Sequence, residues 1–140
     1  MRDLARAVDF LGDQPFVLPA KIGSLGFCFG GGMSIALACQ ATKLAACVVF
    51  YGENPSPIEL VERIPCPVLG LYGADDLCIN RSLDSLVHAM TENKKDFEMR
   101  IYPGAAHAFI NDTRAQVYRP GPAAEAWERV LRFFERTLRN

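Results

Sequence analysis

The 140-residue sequence predicts an α/β architecture, a mostly parallel sheet with helices on both faces. Three observations carry this. Short apolar runs rich in β-branched and aromatic residues alternate with segments of helical periodicity, the pattern of strands buried between covering helices. Glycine and proline punctuate the boundaries. Half of the residues are hydrophobic, enough for a real core in a single domain over residues 1–140.

Taken in order, Leu4, Ala7, Val8 and Leu11 recur at helical spacing and predict an opening amphipathic helix that stops at Gly12. "AKIGSLGFC" reads as a buried strand and "GGMSIALACQA" as the helix after it. "LAACVVFYG" is a second strand and "CPVLGLYG" a third, announced by Pro65 and Pro67. Between these two there is room for only one helical turn, in "PIELVER". Leu83, Leu86, Val87 and Met90 mark a helix over 81–91 with Asn80 available as its cap. "FEMRIYPG" alternates like a strand and ends at Pro103-Gly104. The last helix starts near Pro122, which suits a first turn, and places Trp127, Val130, Leu131, Phe134 and Leu138 on one face.

Composition narrows the function classes. With 22% charged residues, a net charge of −1 and no Lys/Arg-rich run, nothing points to nucleic acid. No apolar run approaches a bilayer span. The start, "MRDLARAVDFLGDQ", lacks a signal peptide's apolar stretch, so a cytoplasmic location without membrane attachment is expected. The five cysteines, Cys28, Cys39, Cys47, Cys66 and Cys78, are odd in number and include no C-x-x-C pair. Neither a disulfide framework nor a zinc site is indicated. Cys39, Cys47 and Cys66 read as small buried hydrophobes.

Cys28 is different. Gly26-Phe27-Cys28-Phe29-Gly30 has the G-x-nucleophile-x-G form between a predicted strand and a predicted helix. Such an elbow exposes its side chain on a strained turn, with a glycine two residues to either side where strand and helix backbones meet. The helix N-terminus aimed at the sulfur favours thiolate. The Phe29 backbone N–H is placed to serve as an oxyanion donor. A phosphate cradle would want a lysine after the glycines, and "GGGMS" has none.

A nucleophile needs a base, and there are two histidines. His88 lies off the apolar stripe of its helix and reads as a surface residue. His107 follows a strand, in "GAAHAF", where a base can reach the elbow. An orienting carboxylate belongs between them in chain order, and "YGADDLCIN" offers Asp75 and Asp76.

With these motifs in place, "GFCFGGG", "LGLYGADDLCIN", "YPGAAHAFINDTR" and the terminal "AAEAWERVLRFFERTL" together resemble the dienelactone hydrolase (carboxymethylenebutenolidase) family of the α/β-hydrolase superfamily. The resemblance runs over essentially the whole chain. It implies a Cys28–Asp76–His107 triad, with Asp76 chosen over Asp75 because the family's G-x-x-D spacing runs from Gly73 to Asp76. It implies hydrolysis of a small ester or lactone through a thioester, with no metal or organic cofactor. It also implies that the strands usually found upstream, with a second oxyanion donor and a glutamate thought to control cysteine ionisation, are missing from a truncated fold. An open sheet edge would then invite homo-oligomers. Where well-known members carry an arginine four residues after the histidine, this chain has Asn111, and Arg114 is the candidate substitute for gripping substrate. The alternative to an enzyme is a non-catalytic truncated domain serving as an interaction or assembly module. A redox-sensing thiol would want a resolving cysteine near Cys28, which is absent.

Overall fold

The computed structural model describes residues 2–139. Its sheet has four strands, all parallel and in sequential order: β1 (Gly23–Phe27), β2 (Ala46–Phe50), β3 (Val68–Gly73) and β4 (Phe97–Tyr102). The central strands β2 and β3 are buried along their whole length, which is why they read as unbroken apolar runs.

Alternation along β2 feeds two layers. Cys47 and Val49 face one, while Ala46, Val48 and Phe50 face the other. The first layer is covered by α1 (Arg2–Gly12), α2 (Phe29–Ala38), a 3-10 helix (Ile58–Arg63) and, after the short α3 (Leu77–Asn80), by α4 (Leu83–Glu92). Val8, Ile35, Val61, Leu86 and Met90 pack there. The second layer is covered by α5 (Pro120–Phe134), which continues as a π-helical turn over Glu135–Arg139. Among the described residues no helix is long and apolar enough to cross a membrane.

Three sequence expectations change. Of the predicted stripe on α1 only Val8 is buried; Leu4 and Leu11 are exposed. Helix α1 meets the core through Val8 and half-buried Ala5, with Lys43 paired to Asp9 at 3.0 Å on its flank. On α5 the buried face is Ala123, Ala126, Val130 and Phe133, so Trp127 and Leu131 are exposed. Two alanines let that helix sit close on the sheet, and the larger residues turn outward. Asn80 is not a cap either. Its Nδ2 donates to the Gly73 and Ala74 carbonyls at 2.8 and 3.1 Å, and Ser82 precedes α4.

Cys39, Cys47 and Cys66 are buried as expected, whereas Cys28 and Cys78 are exposed. Burial pushes the Cys39 and Cys47 thiols up to about 11 and the Cys66 thiol up to about 12. The unfolded chain ionises these thiols at lower pH, so it binds fewer protons than the fold in that window. Stability should therefore be full below about pH 8.5 and fall as pH rises towards 11–12. For the fully enclosed Cys47 the slope is about 1.4 kcal/mol per pH unit. Urea unfolding at a series of alkaline pH values measures this, and Cys47→Ala should flatten the decline.

Candidate active site

All four strands run the same way, so the loops after their C-terminal ends converge on one edge of the sheet. Cys28 follows β1, Tyr51 follows β2, Asp76 follows β3 and His107 lies in the loop after β4.

Cys28 sits between β1 and α2 with φ 55° and ψ −121°, a conformation that costs an L-residue about 1–3 kcal/mol. Backbone bonds hold it there. Its N–H donates to the Phe50 carbonyl at 3.0 Å, and its carbonyl accepts from Gly31 and Gly32 at 2.9 and 3.2 Å. The turn is possible because strand and helix touch at Gly26, where an added Cβ would lie 1.9 Å from the Gly30 carbonyl oxygen. Gly30 itself would meet nothing within 4 Å, so of the two glycines flanking the cysteine only Gly26 is needed for space. Phe29 opens α2, which leaves its N–H without an intrahelical acceptor and free to face a ligand.

Asp76 is 5% exposed and uses both carboxylate oxygens. Oδ1 accepts from the Ile79 N–H at 3.3 Å, capping α3, and Oδ2 lies 2.5 Å from His107 Nδ1. The cap fixes the carboxylate that orients the imidazole. Asp75 is exposed, and its backbone N–H donates to the Ala105 carbonyl at 2.9 Å, tying the aspartate loop to the histidine loop. Asp76→Asn can still cap through its amide oxygen, whereas Asp76→Ala cannot. Thermal melts should show a loss of about 0.5–2 kcal/mol for alanine and clearly less for asparagine.

His107 completes the chain of contacts, with Nε2 3.0 Å from Cys28 Sγ. Its loop is anchored by Phe109, fully buried against Tyr51, Phe50 and Tyr102, and by Arg119 Nε donating to the Gly104 carbonyl at 3.0 Å. The residue after it, Ala108, has φ 64°, so the loop holds its turn at some cost in backbone strain. The Tyr51 ring lies against the imidazole, centroids 4.9 Å apart, with the Tyr51 backbone also in the left-handed region at φ 38°. Burial first, and Cys28 second, push the Tyr51 phenol up to about 12, leaving it a neutral donor. His88 is exposed on α4, away from this edge.

A cavity of about 360 Å³ opens beside the sulfur. Phe29, Met33, Ala36 and Ile79 give it apolar walls, and Tyr51 and the segment Glu53–Ser56 close one side. Asn111 and Arg114 do not line it. Asn111 Oδ1 instead accepts from the Thr113 N–H and hydroxyl within its own loop, at 3.1 and 2.7 Å, and Arg114 is exposed. The lining contributed by Tyr51 and Glu53 escaped the sequence reading. The available signal was position: "YGENPSP" follows a predicted strand, as the cysteine, aspartate and histidine segments do.

A model of the family described as "Dienelactone hydrolase family" matches residues 1–138. The chain belongs to the dienelactone hydrolase family. A relative from Saccharolobus solfataricus named "Putative carboxymethylenebutenolidase" is 43% identical over 97% of this chain and 51% of its own length. Among solved structures, a dienelactone hydrolase-like promiscuous phosphotriesterase from metagenomic libraries superposes with a TM-score of 0.86. It is 28% identical, covering 97% of this chain and 61% of that one. An α/β hydrolase from a Medee basin deep-sea metagenome library shares the fold at a TM-score of 0.80 and 15% identity, covering 99% of this chain and 64% of that one. The fold is thus that of the α/β hydrolases, and the chain spans about half the length of the curated relatives it matches, 51% and 58% for two of them.

Proposed function

We propose that this chain is a single dienelactone-hydrolase-like unit that cleaves small esters or lactones through Cys28, His107 and Asp76. The observation that carries the reading is the unbroken run of contacts from the Asp76 carboxylate through His107 to the Cys28 sulfur, at 2.5 and 3.0 Å, beside an apolar cavity. Membership of a family of ester and lactone hydrolases supports it.

In this mechanism His107 Nε2 takes the thiol proton and Cys28 Sγ attacks the carbonyl carbon. Negative charge collects on the carbonyl oxygen, where the Phe29 N–H donates to it. The C–O ester bond then breaks, and the leaving alcohol, or the enol of an opened lactone, receives the proton from the imidazolium. Water next gives a proton to His107 and attacks the thioester carbon; the C–S bond breaks and the carboxylic acid leaves. Asp76 keeps Nδ1 protonated throughout and stabilises the imidazolium. Side chains, one backbone donor and water suffice for these steps.

Rapid mixing with p-nitrophenyl acetate followed by an acid quench tests this. One acetyl group should be found on the peptide containing Cys28 during steady turnover. Turnover with no acyl group on Cys28, or with acetyl only on Cys78, would overturn the thioester mechanism.

A second reading, association between copies, is supported by a different observation. Among the described strands β1 lies at an edge, and Phe27 at its end and Trp127, which lines the same surface hollow, are 40% and 44% exposed. Native mass measurement distinguishes monomer from oligomer directly.

A further inference from the structure

The cavity beside Cys28 has one full charge that the proposed chemistry does not use. Among the described residues Glu53 is the only carboxylate lining it, and no lysine or arginine lines it at all. Glu53 is exposed at the mouth and has no ion-pair or side-chain hydrogen-bond partner among the described residues.

Its position is well defined. An ideal Cβ at Gly32 would lie 3.4 Å from the Glu53 backbone N and O and 3.8 Å from its Cβ. Gly32 in turn donates its N–H to the Cys28 carbonyl, so Glu53 lies against the first turn of α2, beside the elbow. The next residue fastens the segment to the start of α4, with Asn54 Nδ2 donating to the Ser82 carbonyl at 2.6 Å.

Two fields therefore meet at the sulfur. The N-terminus of α2 attracts anions, and the Glu53 carboxylate repels them from the same mouth. A full charge outweighs the partial charge of a helix end, and apart from Cys28 and His107 the other described lining residues are apolar or neutral polar ones such as Tyr51, Asn54 and Ser56. We propose that Glu53 sets the charge preference of this site, so that its substrates are neutral or cationic esters and lactones rather than ones bearing a carboxylate. This rests on the hydrolase reading for its meaning, but the potential at Cys28 can be measured without turnover. Because Glu53 is exposed, the effect is severalfold and is screened by salt within a Debye length of about 8–10 Å.

The measurement uses two thiosulfonates, one carrying a trimethylammonium group and one a sulfonate. In each, the Cys28 thiolate attacks the sulfenyl sulfur, a mixed disulfide forms and methanesulfinate leaves. Rates are compared at low salt in a Cys78→Ser background, which removes the other exposed thiol. The cation-to-anion rate ratio should fall about three- to tenfold in Glu53→Gln and further in Glu53→Lys, and high salt should compress the series. Ratios equal in all three proteins, or a difference indifferent to salt, would overturn the proposal. A parallel assay compares p-nitrophenyl butyrate with p-nitrophenyl hemiglutarate, and Glu53→Gln should raise the hemiglutarate-to-butyrate ratio of kcat/KM. If neither ester is turned over through Cys28, the hydrolase reading fails while the disulfide ratios still decide the role of Glu53.

Discussion

Alanine at Cys28 should reduce hydrolysis of p-nitrophenyl acetate to the rate of the buffer, and alanine at His107 should lower it about 10²–10⁴-fold. The reasoning is geometric. Among the described residues Cys28 Sγ is the nucleophile that His107 Nε2 contacts, at 3.0 Å, and both line the cavity. Because sulfur, imidazole and carboxylate act as one unit, the losses will not add: Cys28→Ala/His107→Ala should be no slower than Cys28→Ala alone. The two single variants should differ in another way. His107→Ala keeps a sulfur at the elbow, so at high pH it can still form thioester without the base that speeds its breakdown, giving a burst of nitrophenol and a slow tail. Cys28→Ala gives neither. Steady-state and stopped-flow rates at pH 7 and pH 9 separate these cases. Full esterase activity in either variant would remove the proposed mechanism.

How much of this was legible in the sequence depends on the kind of interaction involved. The four strands and the elbow were readable because they follow from local signals: apolar runs bounded by glycine, and a cysteine held between strand and helix. The histidine was readable because "GAAHAF" follows a strand end. Asp76 was separated from Asp75 only by resemblance, and the structural reason is the α3 cap, in which Asp76 Oδ1 meets the Ile79 N–H. A cap on a four-residue helix leaves almost no periodicity to detect. The faces of α1 and α5 were misassigned for a complementary reason. Hydrophobic periodicity ranks large residues, whereas Ala123 and Ala126 are buried because they are small enough to bring α5 onto the sheet. Glu53 and Tyr51 were missed because neither belongs to a motif. They reach the cavity only through the parallel order of the sheet, which sets the β2 loop between those of Cys28 and Asp76.

The motif Gly26-Phe27-Cys28-Phe29-Gly30 looks symmetrical in sequence, and the second large effect comes from its asymmetry in space. A methyl group at Gly26 would sit 1.9 Å from the Gly30 carbonyl oxygen, 2.2 Å from its carbon and 2.7 Å from the Gly31 nitrogen. All three obstacles are backbone, so no side chain can rotate away. Relief requires α2 to retreat from β1, which pulls on the Cys28 carbonyl bonds to Gly31 and Gly32 that hold the strained turn. Gly26→Ala should therefore cost about 3 kcal/mol or more, at or beyond the upper end of ordinary overpacking, and should lower the melting temperature by roughly ten degrees. Gly30→Ala is the internal control. It meets nothing within 4 Å and lies inside α2, so the higher helix propensity of alanine should leave the protein as stable or up to about 1 kcal/mol more so. Thermal denaturation of the pair decides the matter. A Gly26→Ala protein that melts with the wild type, or a Gly30→Ala protein that proves the weaker of the two, would mean that strand and helix do not meet as the structure places them. The position of the nucleophile would then have to be explained without that contact.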